Sequence, residues 1–374
     1  VLSQRGVVRH LRAVAGDNAQ DGAPAGFHLA ASYVPGPRRS PKGVGIWCPH
    51  FAQQWGPYDP ENKGTGGSEA ATLYLSRALA KKGYEVTVFG PLPPADLPIT
   101  VADGVIWRHL RGLDPDRPFD HFIFHRAPAM AATCSWASRH LWSWHHDHFY
   151  SEEYWNPRLV ASTRHLYVSR WQRAALERLI KRPTAGRTIW NGIPPEQFER
   201  AERRLTSAAA GMLRNPKGVA FASMPTRGLD RLLDLWPIVL DAVPDAMLVM
   251  YYGTHTVRQL WRGPHYNVTD QIRAMERRVE ELTKIGKVAF RGRIGQDLLT
   301  EEFLQLGAMA YPTAFSEVYM IAGVRAAAAG MKVVTSDSAC LPETMPEQSY
   351  MVRRTTSPED WAGGGRERFA LRII

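Results

Sequence analysis

The sequence holds three cysteines in 374 residues, Cys48, Cys134 and Cys340, each far from the others. An odd, scattered set argues against a disulfide framework, lacks the paired spacing of a structural zinc site, and points to a reduced compartment. No run of 18 apolar residues occurs, so no segment reads as a membrane-spanning helix. There is no repeat at solenoid period and no low-complexity tract. A secretory signal is not recognisable and residue 1 is not Met, so the native start is expected upstream. Acidic residues are in deficit, 36 Asp and Glu against 46 Lys and Arg, which leaves a net charge of +10. That balance favours an acidic partner: a nucleotide, an anionic membrane surface or a nucleic acid. No basic stretch interleaved with aromatics appears, so a nucleic-acid binder is a lesser alternative and no nucleic-acid partner is expected.

What is present suits a globular α/β protein. Hydrophobic residues make up 44% and charged residues 22%. Residues 1–42 carry six basic and two acidic side chains among Gly-Pro clusters, and read as a basic tail with little regular structure. From 44 the chain reads strand, loop, glycine turn, helix, strand. An apolar strand at 44–48 and a long loop at 49–65 precede Gly66-Gly67-Ser68-Glu69, which opens an amphipathic helix to Lys82. Gly83 stops it and a strand follows at 85–89. Two glycines let a backbone approach a ligand closely, though alone they also mark an ordinary turn. Further strands are expected at 121–125, 141–144 and 166–169. The second of these runs into His145-His146-Asp147-His148. Neighbouring strand residues face opposite ways, so only His146 and His148 could share an ion, and zinc needs more ligands. No metal is assigned. Asn191-Gly192 reads as a turn with positive φ, and the charged, Ala-rich residues 199–217 as the linker between two domains, 43–205 and 206–374.

The second half repeats the architecture. A strand at 217–223 leads into Met224-Pro225-Thr226-Arg227-Gly228 and a helix at 229–239; a strand at 245–252 and a charged helix at 271–284 follow. A strand at 288–290 precedes Arg291-Gly292-Arg293-Ile294. The densest stretch comes last: a buried strand at 306–311, a polar loop to Glu317, an Ala-rich helix at 318–329 ended by Gly330, and a β-branched strand from Lys332. Strand, loop, helix and strand in so few residues make a βαβ unit, whose ligands sit beyond the carboxyl ends of the strands and at the helix N-terminus.

That stretch resembles the signature region of retaining GT-B glycosyltransferases of the family 4 kind, with Pro312-Thr313, Glu317, Gly330 and Glu343 in Leu341-Pro342-Glu343-Thr344. The resemblance implies two Rossmann-like doubly wound domains facing across a cleft, the second binding the nucleotide sugar. It implies transfer of a hexose from a nucleotide-diphosphate sugar to an acceptor with retention, without a cofactor and without a metal. Glu317 would hold the sugar, Arg227 the diphosphate, and His146 the sugar or reacting centre, with His145 as second choice. The turn at Gly66 and Gly67 would lie near the phosphates, with Ser68, Glu69, His145 and Asp147 on the acceptor side. Main-chain groups at Arg293 and Ile294 would read the base, and those at Met320, Ile321 and Ala322 would face the anion. The sequence departs from the pattern in three places. Arg325 stands where a second acid is expected to bind the ribose, and an Arg cannot accept those hydrogen bonds. Ala222 replaces a basic residue, and residues 361–374, broken by three glycines, make a poor closing helix, as if the chain stopped short. These departures support an alternative, a degenerate member that binds without turnover. The acceptor, whether glycan, lipid-linked or small molecule, is left open. A cytoplasmic place, with peripheral contact at an anionic inner membrane face, is expected.

Overall fold

The computed structural model describes residues 42–49, 55–92, 99–127, 130–131, 135–148, 163–207, 214–252, 269–355 and 357–374. The expected basic tail, apart from Lys42, and Cys134 lie outside the described residues. Chain contacts separate two units. One contains the chain to Pro57, Leu75–Tyr167 and Ala174–Thr188; the other contains Tyr58–Tyr74, Val168–Arg173 and Ile189–Ile374. The division thus falls at Thr188, and the Gly66-Gly67 turn is grouped with the second unit.

The first unit is built on an eight-stranded sheet in the order β3-β4-β2-β1-β5-β6-β7-β8. Its strands are β1 (Gly43–Trp47), β2 (Glu85–Gly90), β3 (Thr100–Ala102), β4 (Val105–His109), β5 (His121–His125), β6 (His140–His145), β7 (Arg164–Tyr167) and β8 (Gly186–Thr188). All pairs are parallel except β3 with β4. The β3–β4 pair is absent from the sequence reading, because two short half-exposed strands carry too little apolar signal. Strands β1 and β2 are buried on almost every residue, as both faces of a parallel sheet are covered. Trp47, Phe89, Phe119, Phe122 and Phe124 form an aromatic core in this unit.

The second unit carries six parallel strands in the order β11-β10-β9-β12-β13-β14. They are β9 (Asn215–Ala222), β10 (Met247–Tyr251), β11 (Val288–Gly292), β12 (Leu306–Tyr311), β13 (Lys332–Ser336) and β14 (Tyr350–Val352). Taken in chain order this is 3-2-1-4-5-6, the doubly wound dinucleotide-fold order. The helices of eight residues or more among the described residues are α1 (Gly67–Lys81), α2 (Arg170–Leu179), α3 (Pro195–Ser207), α4 (Leu229–Ala242), α5 (Thr269–Lys284), α6 (Gln296–Leu304), α7 (Ile321–Ala328) and α8 (Arg366–Ile373). The amphipathic α4 buries Leu229, Leu232, Leu233, Leu235, Trp236 and Val239 into the core of this unit.

Several expectations are corrected. The Ala-rich helix begins at Ile321, not Val318, because residues 318–320 stay in the loop after β12. Arg291-Gly292 belongs to β11, where Arg291 pairs with Glu302 on the surface. Neither Asn191 nor Gly192 has positive φ. The Asn191 carbonyl instead accepts a hydrogen bond from Tyr319 Oη at 2.9 Å. Residues 199–207 of the expected linker belong to α3. The closing segment is helical after all: Trp361–Gly365 makes one wide turn, kinked where Gly364 takes φ +105, and continues into α8. Trp361 Nε1 donates to Asp234 Oδ2 at 2.9 Å, and Phe369, Ala370 and Ile373 are buried, so tertiary packing offsets the low helix propensity of the glycines.

Candidate functional site

In the second unit the direction of strand addition reverses between β9 and β12. Such a switch point leaves a crevice beyond the carboxyl ends of its two strands. Arg227 follows β9 and Glu317 follows β12. Beyond β9, Pro225–Arg227 forms a 3-10 turn and Gly228 takes φ +117 before α4. A Cβ on Gly228 would lie 2.8 Å from the Pro312 carbonyl oxygen. The glycine therefore lets the turn carrying Arg227 close on the loop carrying Glu317.

Arg227 Nη1 donates to Glu317 Oε1 at 3.2 Å, and the guanidinium lies 4.1 Å from the Phe315 ring centroid. Tyr311, the last residue of β12, donates its hydroxyl to the same Oε1 at 2.5 Å, and Ser223 Oγ donates to Tyr311 Oη at 3.3 Å. Burial, with the Glu317 charge second, pushes the Tyr311 hydroxyl well above its ordinary range, so it stays a donor. Both bonds to Glu317 go to Oε1, which fixes the carboxylate in place. The surrounding loop is tied by Ser338 Oγ to the Phe315 carbonyl at 3.0 Å and by Phe315 N to Thr313 Oγ1 at 3.0 Å. In the sequence Tyr311 reads as core, since it is an aromatic closing an apolar strand.

The glycine turn stands against the start of α7. A Cβ on Gly67 would lie 3.1 Å from Ile321 Cδ1. The Met320 side chain makes no capping hydrogen bond to the start of α7, where the first-turn amides of a helix have no partner within the helix itself. Ser68 Oγ donates to Glu69 Oε2 at 2.9 Å, and a Cβ on Gly66 would lie 2.2 Å from that oxygen. Glu69 is thus folded over the turn and buried. The Arg293 guanidinium lies 5.5 Å from the centroid of the Tyr252 ring. Tyr252, next after β10, holds φ +76, an outlier of the kind that clusters at ligand sites. Burial raises its hydroxyl pKa, opposed by the charges of Arg293 and Arg227 and reinforced by that of Glu69. Periodicity gives no sign of Tyr252, because its backbone strain is a tertiary fact. The Ile294 carbonyl is packed on Gly64, where a Cβ would lie 2.2 Å away.

Arg325 is not part of this group, which corrects its assignment to the donor. It is 1% exposed and points inward from α7. Its Nη1 donates to Gln197 Oε1 on α3 at 2.8 Å and to Thr300 Oγ1 on α6 at 2.5 Å. Burial lowers its pKa, offset by Tyr74 and Asp297. Glu343 serves as a helix cap: it accepts from Arg170 N at 2.7 Å, Trp171 N at 3.0 Å and Trp190 Nε1 at 3.2 Å.

In the first unit the switch point lies between β1 and β5. His125 closes β5, and its Nε2 lies 3.1 Å from His146 Nδ1. Asp147 accepts from Arg126 Nε at 2.6 Å and Nη2 at 2.9 Å, a bidentate pair, so its carboxylate is bound to its own unit and not held out for an acceptor. His145 is corrected from its acceptor-side assignment. Strand alternation turns it the other way from His146, into the core, where it is 3% exposed, stacks on His165 and Tyr167, and puts Nε2 3.0 Å from His165 Nδ1. Burial, then the neighbouring His165 and His146, pushes its pKa well below the ordinary 6.5. The folded state therefore keeps His145 neutral while the unfolded chain takes up a proton as the pH falls below about 6.5. This contribution to stability is full above that value and is lost below it, at up to about 1.4 kcal/mol per pH unit. A melting series from pH 7.5 to 5 is expected to fall more steeply for the native protein than for His145→Phe.

Asp114-Pro115-Asp116 has the spacing of a paired-acid metal motif. It forms an exposed turn in which Asp116 N donates to Asp114 Oδ1 at 3.0 Å. Among the described residues no three His, Cys, Asp or Glu side chains are grouped to hold a metal ion, and no helix is long and apolar enough to cross a membrane.

No protein-family model matches the chain, and no curated protein matches it. Solved structures do. Sucrose-phosphate synthase from Thermosynechococcus elongatus aligns at TM-score 0.58 and 15% identity, over 89% of this chain and 94% of the other. A UDP-forming trehalose-phosphate synthase from Burkholderia xenovorans aligns at 0.55 and 13%, over 89% and 95%. Anabaena HepE, in complex with UDP and glucose, aligns at 0.52 and 14%, over 89% and 92%. At these identities the likeness establishes the architecture: the chain has the α/β fold of GT-B glycosyltransferases, with two parallel-sheet domains.

Proposed function

We propose that this protein is a glycosyltransferase that moves a hexose from a nucleoside-diphosphate sugar to an acceptor, with retention and without a metal. The observation that carries the reading is the Arg227–Glu317 pair, 3.2 Å apart at the switch point of the second sheet. As the glycosidic bond breaks, negative charge builds on the departing diphosphate, and fixed positive groups aimed at it lower the barrier. Arg227 supplies a full charge, and the first-turn amides of α7 and the glycine turn supply dipoles. Glu317, fixed through Oε1, keeps Oε2 for a sugar hydroxyl. The acceptor proton passes to an oxygen of the leaving diphosphate, which removes the need for a strong protein base. Tyr252 and Arg293 border the base side, and His146 on the first unit is assigned to the sugar. The named complexes with UDP make a uridine nucleotide the first donor to try. Neither non-productive binding nor nucleic-acid binding gains an observation among the described residues.

Thermal shift against nucleoside diphosphates tests this. At about 100 times its Kd a nucleotide stabilises the fold by about 2.7 kcal/mol and raises the melting point visibly. A protein that no nucleoside diphosphate or nucleotide sugar stabilises at millimolar concentration would not have this function. Turnover unchanged by EDTA, with the product's anomeric configuration read by NMR, checks the two finer points.

A further inference from the structure

The neighbouring strands β11, β10 and β9 of the second sheet are followed by Arg293, Tyr252 and Arg227 respectively. The ends of the first two are distorted. Met250 pairs with Phe290 but Tyr251 with Gly292, so Arg291 is an extra residue, and such a bulge re-aims the side chains beyond it. Gly292 takes φ +66 and Tyr252 φ +76, and the Tyr252 N–H donates to the Gly292 carbonyl at 2.8 Å. A bulky residue is strained at that angle and stays there only where its surroundings over-determine it. The Arg293 guanidinium, 5.5 Å from the Tyr252 ring centroid, is one restraint, and the Arg293 stem is itself packed on Gly64. On its other side the half-buried phenol lies within reach of the charges of Arg227 and Glu69, so it stretches across the strand ends toward β9. Among the described residues nothing hydrogen-bonds its hydroxyl. All of these residues belong to the second unit.

We propose that Tyr252 is a specificity-determining residue whose hydroxyl meets the ribose hydroxyls of the nucleotide, so that the site prefers a ribonucleotide to its deoxy forms. The inference rests on the glycosyltransferase reading, which sets the diphosphate at Arg227 and the base at Arg293 and Ile294. A nucleotide carries its ribose between those two ends, and Tyr252 stands between the two arginines that mark them. A phenol both donates and accepts, which suits a sugar hydroxyl. The helix α7 offers the ribose no carboxylate, since it carries no acidic residue and Arg325 donates into the core. Glycine after β10 would adopt φ +76 without strain, but would give the ribose no partner.

Calorimetric titration with UDP, 2′-deoxy-UDP and 3′-deoxy-UDP tests this. The native protein is expected to bind UDP about fivefold more tightly than at least one deoxy form, the effect of one neutral hydrogen bond, and that reading needs no variant to fold. Tyr252→Phe keeps the ring against Arg293 and removes only the hydroxyl. It should lose about fivefold in UDP affinity, leave the affinity for that deoxy form unchanged, and so lose the preference. Tyr252→Gly and Tyr252→Ala both remove the ring and should bind UDP equally weakly, while the glycine variant melts about 2–4 °C above the alanine variant, because only alanine is strained at φ +76. A native protein that binds UDP and its deoxy forms alike, or a Tyr252→Phe that keeps the native preference, overturns the proposal. A glycine variant that melts no higher than the alanine variant overturns the claim of strain. A native protein that binds no nucleotide at all counts against the proposed function itself.

Discussion

Arg325→Glu, which restores the acid of the resembling family, is expected to lower the melting point by about 10 °C and not to improve nucleotide binding. Arg325 is buried, and its donors satisfy Gln197 Oε1 and Thr300 Oγ1. It therefore joins α3 and α6 to α7, with Tyr74 and Asp297 among the groups acting on its charge. A glutamate there would remove the donor from both bonds and bring a second negative charge near Asp297. Breaking a buried, hydrogen-bonded charge costs about 3–5 kcal/mol, and each kcal/mol moves the melting point by about 2–4 °C at this size of unit. Arg325→Met, which leaves no buried charge, should cost less than the glutamate. Calorimetry on the three proteins decides the point. A glutamate variant that melts with the native protein and binds nucleotide more tightly would show that this position faces the ligand.

Arg227→Ala is the larger functional test. Loss of one preorganised donor to a developing oxyanion costs about 100- to 1000-fold in kcat. Loss of a charge-assisted bond weakens nucleoside-diphosphate binding by about 10- to 100-fold. Arg227 is partly exposed, 34% by side chain, so its ion pair with Glu317 adds little stability and the variant should fold. Arg227→Lys keeps the charge but not the planar fork, and should fall between the two. Calorimetric titration with UDP separates the possibilities. Unchanged affinity in the alanine variant would reduce Arg227 to a surface partner of Glu317 and remove the main support for the proposed reaction.

Local signals located most strands, the glycine turn at 66–67 and the stops at Gly83 and Gly330, because each of these depends on residues within one or two turns. Apolar runs marked the buried parallel strands, and both glycines adopt the positive φ that ends a helix. The same signals failed for α8, where three glycines argued against a helix that the core of the second unit holds in place. They also failed for the edge strand β3 and its neighbour β4, which are too short to carry a clear apolar run.

For the site, the sequence by itself determined which residue types stand after each strand: Arg227 after β9, Glu317 after β12, His125 and His146 at neighbouring strand ends. Only the tertiary structure decided what each does. It paired Arg227 with Glu317 and placed Tyr311 beneath them, turned His145 into the core while His146 met His125, and drew Arg325 and Glu343 into structural roles that motif spacing assigns elsewhere. The physical reason is that a side chain's chemistry is set by its hydrogen-bond partners and burial, and here those partners are as much as 173 residues away in the chain. Spacing along a strand or helix fixes which way a side chain faces, but its partners there come from other elements.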